Sequence, residues 1–130
     1  MAHPNEELVR TGYAAFGSGD METLRRLFAP DIVWHSPGRN PVAGDFHGVD
    51  QVLQLFGRLF QLTGGTLRLD LHDVLANDEH VVALIHNHAE RGGRAVDTND
   101  THVFHVRDGR VTEFWALSGD PYATDELLSS

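Results

Sequence analysis

The second half of the chain constrains the fold most. From Thr66 to Leu117 it is a succession of strand-like runs separated by short turn signals. Thr66–Leu75 alternates, with Leu67, Leu69, Leu71 and Leu75 on one parity and Arg68, Asp70 and His72 on the other. In an extended chain these parities are opposite faces. Asn77-Asp78 turns the chain into Val81–Arg91, and Gly92-Gly93 turns it again into Ala95–Arg107. Asp108-Gly109, the strongest hairpin signal present, then leads into Val111–Leu117,. Four consecutive antiparallel strands are expected.

The first half reads differently. Pro4 to Phe16 has the marks of a helix: Pro4 suits a first turn, Glu6 and Glu7 suit the positive end of the dipole, and Val9, Tyr13 and Phe16 form one stripe,. Gly17 and Gly19 stop it. Asp20 caps a second, short helix carrying Leu24, Leu27 and Phe28, closed by Pro30,. Asp31–Ser36 favours a short strand through Ile32, Val33 and Trp34,. Pro37 to Gly48 reads as a loop, by default solvent-exposed, with a cavity lid including Arg39 and His47 as the alternative,. Val49 to Leu62 is the clearest helix, with Val49, Val52, Leu53, Phe56, Leu59 and Phe60 at helical spacing and Gly64-Gly65 at its end,. The tail from Tyr122 to Leu128 is expected to add a last helical turn.

Helices followed by a run of strands indicate an α+β fold: a curved, mixed or antiparallel sheet with three helices from the N-terminal half over one face. The 130 residues, read as one domain (1–130), suffice to bury a core,. A net charge of −9 opposes binding to nucleic acid or anionic membranes,. The absence of cysteine excludes disulfides and thiolate chemistry,. No run reaches the length of a membrane span, and the N-terminus lacks the pattern of a secretory signal. Cytoplasmic localisation is the expectation.

The histidines point to chemistry. His80, Val82, Leu84, His86 and His88 share one parity of their strand, and Val81, Ala83, Ile85 and Ala89 share the other. The first parity is apolar at one end and carries imidazoles at the other, a mixture suited to a pocket for an organic molecule. A neutral imidazole in an apolar cavity gives or takes a proton near neutral pH. His102 is the best single candidate, because Asp100 and Phe104 share its face and a His–Asp pair orients an imidazole. His86 and His88 are expected to face His102 across the ladder. The expected catalytic set is therefore His102, Asp100, His86 and His88. Tyr13, Trp34, Phe56, Phe60 and Trp115 are expected to line the space between helices and sheet and to touch a ligand there. His86, His88, His102 and Glu90 include ligand types for zinc or iron, but no carboxylate stands at an evident facial-triad spacing. The expected chemistry uses no metal and no cofactor.

The element order resembles the nuclear transport factor two-like superfamily, and within it the SnoaL-like branch related to polyketide cyclases and ketosteroid isomerase. The residues carrying the resemblance are Trp34-His35-Ser36-Pro37-Gly38, Ala43 to Gly48, Val106 to Trp115, and the tail Asp120 to Glu126. The similarity spans about Glu6 to Leu127 and implies a cone-shaped fold. It places His102, ahead of Phe104, where SnoaL-like cyclases carry an acid/base aspartate. Their Glu-His-Trp-Asp motif reads Glu113-Phe114-Trp115-Ala116 here, so two polar positions are apolar. The resemblance does not place the carboxylate base and Tyr/Asp oxyanion hole of the isomerase on this sequence.

Two functions follow. One is a cofactor-free acid/base enzyme of isomerase, cyclase or dehydratase type, acting on an apolar, polycyclic or ketonic molecule. The other is a non-catalytic ligand-binding or dimerisation domain. Relatives of this fold commonly dimerise through the free sheet face, so a homodimer is expected, with Val81, Ala83, Ile85, Ala89 and Val103 as its apolar surface.

Overall fold

The computed structural model describes residues 2–130. Its elements are α1 (Pro4–Ser18), α2 (Met21–Leu27), β1 (Phe28–Ser36), β2 (Gly44–His47), α3 (Val49–Leu62), β3 (Arg68–Ala76), β4 (His80–Arg91), β5 (Arg94–Arg107), β6 (Arg110–Leu117) and α4 (Pro121–Ser129). The strands form one sheet in the order β2-β1-β6-β5-β4-β3. β1 runs parallel to β6 and every other pair is antiparallel, so the sheet is mixed. This is the expected α+β fold, with a fourth helix added where a single turn was read.

Local chemistry explains most boundaries. Gly19 ends α1 in the left-handed region (φ 72°), where its N–H reaches the carbonyls of Ala15 and Phe16,. The Asp20 carboxylate caps α2 by accepting from Thr23 N–H at 3.1 Å,. Asp108 (φ 53°) and Gly109 (φ 75°) both take positive φ, as a tight hairpin turn of matching twist requires,.

Two boundaries depart from expectation. β2 lies within the stretch read as loop, because Gly44–His47 has little strand propensity of its own and is held extended by pairing with β1,. In β3 the register shifts between Leu71 and Asp73. That bulge reverses the parity, so Val74 is buried and Leu75 is 55% exposed rather than sharing the face of Leu71,.

The inner face of the sheet meets the helices. Ile32, Val52, Val81 and Ala83 there have no exposed surface. Val81, Ala83, Ile85 and Ala89 are all buried in this core, which corrects the expectation that they form a dimer surface. The physical reason is simple. The helices need an apolar floor, and the parity without imidazole is the more apolar one. Val103 pairs with Val82 and faces the other way, with Leu84, Trp115 and Leu117. No helix among the described residues is long and apolar enough to cross a membrane.

Candidate functional site

A cavity of about 180 Å³ lies between the inner sheet face and the helices. Its walls are mostly hydrocarbon and aromatic: Val9 and Phe16 from α1, Phe56 from α3, Trp34 from β1, Phe114 from β6 and Leu127 from α4. Trp34 stacks on Phe114 at a centroid distance of 3.6 Å and meets Phe56 edge-on at 5.0 Å. Pro37, Asn40 and Val42 bring the Pro37–Gly48 stretch to the cavity. Asp125 of α4 pins that stretch, its Oδ1 accepting from Arg39 N–H at 2.9 Å and from Asn40 Nδ2 at 2.8 Å.

Among the polar side chains that interrupt this apolar lining are Tyr13, Asn87, Asp100 and His102, with Ser36, Asn40, Thr63, Ser118 and Thr124 also on the walls. Asp100 and His102 project inward from alternate positions of β5, opposite Ile85 and Ala83. His102 is 7% exposed, and its Nδ1 lies 2.5 Å from the Tyr13 hydroxyl. The two rings lie nearly parallel, 5.9 Å apart. Burial pushes the His102 imidazole down to about 4 against the opposing pull of the Asp100 charge, so the ring is neutral at pH 7,. Burial also raises the Tyr13 phenol above its ordinary value. Asp100 is held from two sides: Oδ1 accepts from Gly119 N–H at 3.0 Å and Oδ2 from Asn87 Nδ2 at 3.3 Å. Gly119 must be glycine for this. A Cβ there would stand 2.3 Å from the carbonyl oxygen of Asn99,.

The structure brings together His102, Asp100, Tyr13, Trp34 and Phe56 among the expected residues. It separates the others. His86 and His88 pair with Asn99 and Asp97 on the outer face of the sheet, away from His102. The expectation of imidazoles converging on one hollow is corrected by parity: positions 86 and 88 alternate with the buried Ile85 and Ala89. Outside, Asp97 accepts from His88 Nδ1 at 2.8 Å and from His86 Nε2 at 3.2 Å. His88 Nε2 also meets Glu90 at 2.7 Å, and the bonds to Glu90 and then Asp97 raise its pKa. Bonds to Asn99 and then Asp97 raise that of His86.

Trp115 is outside as well, stacked on His35 at 5.1 Å and against His105 at 4.7 Å. Phe60 packs on Phe16 at 4.8 Å instead of lining the cavity. Among the described residues no three His, Asp or Glu side chains form a cluster able to hold a metal ion, and His102 is on the far side of the sheet from His86, His88 and Glu90. Asn87 escaped the reading of the sequence. Its signal was a lone polar residue interrupting the apolar parity of Val81, Ala83, Ile85 and Ala89.

The model of the SnoaL-like domain matches residues 9–114, most of the chain and most of the residues that line the cavity. The chain belongs to the SnoaL-like family. It is 38% identical over 122 residues to the uncharacterized protein Rv0034 of Mycobacterium tuberculosis (strain ATCC 25618 / H37Rv), covering 93% of each. It resembles the structure of Bal32a from a soil-derived mobile gene cassette, with 44% identity, a TM-score of 0.92 and 96% of each chain covered. An NTF2-like protein of unknown function from Burkholderia pseudomallei K96243 shares the fold at 23% identity, with a TM-score of 0.89 and 99% and 100% of the two chains covered. The superfamily resemblance in the sequence is thus confirmed at the level of fold. SnoaL-like membership by itself assigns no reaction.

Proposed function

We propose that this SnoaL-like protein is a cofactor-free acid/base enzyme that moves a proton on an apolar small molecule, in a reaction of the isomerisation, cyclisation or dehydration class. His102 and Asp100 are its acid/base groups. The observation that carries this reading is a buried, neutral imidazole beside a carboxylate on one strand face of an apolar cavity. Proton transfer by such positioned groups is worth roughly 10²–10⁴-fold in rate. Trp34 and Phe56 supply flat apolar walls for the ligand. A cavity of about 150 Å³ accommodates benzene, so the space here supports a compact ligand of one or two rings.

The test is exchange of α-protons for deuterium in small cyclic ketones, followed by proton NMR in D₂O. Wild-type protein is expected to accelerate exchange in at least one of cyclohexanone, 2-tetralone or 1-indanone. Asp100→Asn and His102→Gln are expected to abolish most of that acceleration. Uncatalysed rates with all of these in the presence of wild-type protein defeat the reading.

A second reading, ligand binding without turnover, draws on a different observation. Both carboxylate oxygens of Asp100 are already engaged by Gly119 and Asn87. Ligand binding with no exchange, unchanged by Asp100→Asn, would select it.

The reading includes a homodimer, formed through the outer sheet face. Leu75 and Leu117 are 55% and 58% exposed there, beside Val82, Leu84, Val103 and Trp115. A second copy of the chain presents the same apolar stripe and covers it by symmetry.

A further inference from the structure

We infer that Tyr13 is a positioning residue that locks His102 in the Nε2–H tautomer, so that the cavity offers a neutral hydrogen-bond donor and selects ligands carrying a carbonyl-type oxygen. The inference rests on the proposed function for its site and deepens it by naming the ligand chemistry.

The argument begins with the short contact between Tyr13 Oη and His102 Nδ1. One of the two groups donates. Imidazole nitrogen is far more basic than a phenol oxygen, so the stronger bond has the phenol donating and Nδ1 accepting. The reverse arrangement would leave the phenolic hydrogen to find another acceptor, and among the described residues Tyr13 Oη has no other hydrogen-bond partner. With Nδ1 occupied as acceptor, the single proton of a neutral ring resides on Nε2.

Nothing among the described residues accepts from Nε2, while His102 lines the cavity. The donor therefore awaits a ligand atom. Burial keeps the ring neutral at working pH, which makes it a donor of fixed sense rather than a cation. A cationic ring would attract an anionic ligand. A neutral N–H in an apolar chamber matches an uncharged acceptor such as a ketone, ester or quinone oxygen. The Asp100 carboxylate on the same face accepts only, so it adds no competing donor,.

Two measurements test this, and neither needs turnover. Long-range ¹⁵N–¹H NMR of the histidine rings, with His102 assigned by its loss in His102→Gln, reads the tautomer directly. The wild type is expected to show Nε2–H, and Tyr13→Phe to lose that preference. A merely structural Tyr13 would leave the tautomer unmoved. Binding of 1-indanone against indane, which lacks only the carbonyl, reads the ligand class. The ketone is expected to bind wild type at least tenfold more tightly, with the ratio falling to below threefold in Tyr13→Phe. Nδ1–H in the wild type overturns the inference. So does equal affinity for the pair, and failure of 1-indanone to bind, with or without indane, counts as no preference. If tautomer and preference hold while α-proton exchange is absent, the enzymatic reading falls and this one stands.

Discussion

Ala83 and His102 stand directly opposite each other in the β4–β5 ladder. Ala83 has no exposed surface, so its partner is carried to the same enclosed side. One step along, Leu84 pairs with Thr101 and His86 with Asn99, both on the other face. This register divides the histidines into one buried ring and several outer ones, and burial and ion pairing push the two groups in opposite directions.

The division gives stability a two-sided pH dependence. The His102 pKa is depressed in the folded state from 6.5 to about 4. The unfolded chain therefore takes up a proton first, and the stability present above pH 6.5 is lost as pH falls toward 4, to a total on the order of 3 kcal/mol. His35, His86 and His88 have raised values, that of His35 through its bonds to Glu113 and then Asp45. Their contribution is fully present below pH 6.5 and is lost as pH rises through the folded values. Urea titrations of His102→Leu between pH 7 and 4 are expected to lack most of the wild-type acid loss. An unchanged acid slope would show that His102 does not carry it.

Two glycines are expected to respond oppositely to alanine. Gly119→Ala drives a Cβ against the Asn99 carbonyl and breaks the Gly119 N–H bond to Asp100. A loss of about 2–3 kcal/mol is expected, since a backbone atom cannot swing aside. Gly17→Ala, in α1 with no atom within 4 Å of the new Cβ, is expected to gain about 0.5–1 kcal/mol from helix propensity. Denaturant midpoints of the two variants check the signs, and a neutral Gly119→Ala would refute the close approach at Asp100.

The outer face makes a prediction about mass. Light scattering at micromolar concentration is expected to report twice the 14.4 kDa of one chain. Leu117→Lys, which sets a charge in the apolar stripe, is expected to return the mass to a single chain with unchanged circular dichroism. A wild-type mass of one chain refutes the dimer.

Much of this was legible from local chemistry. Asp108-Gly109 and Gly92-Gly93 announce their turns because few residues tolerate positive φ,. Val49–Leu62 announces α3 through its apolar spacing, and the helix has those bounds. Asp100, His102 and Phe104 share a face by parity alone, and they do so in the fold. What parity leaves open is which face meets the helices. That choice put Ala83 and Ile85 inside and His86 and His88 outside, because the helices bury whichever face costs less to dehydrate. β2 and the bulge beyond Leu71 were equally invisible, since each exists only through pairing with a neighbouring strand. The sequence by itself determined most of the elements, their order and the company that His102 keeps on its own strand. Tertiary structure alone decided that Tyr13, 89 positions away in the chain, would hold that histidine's ring. Periodicity acts within a segment, whereas a site is made where segments meet.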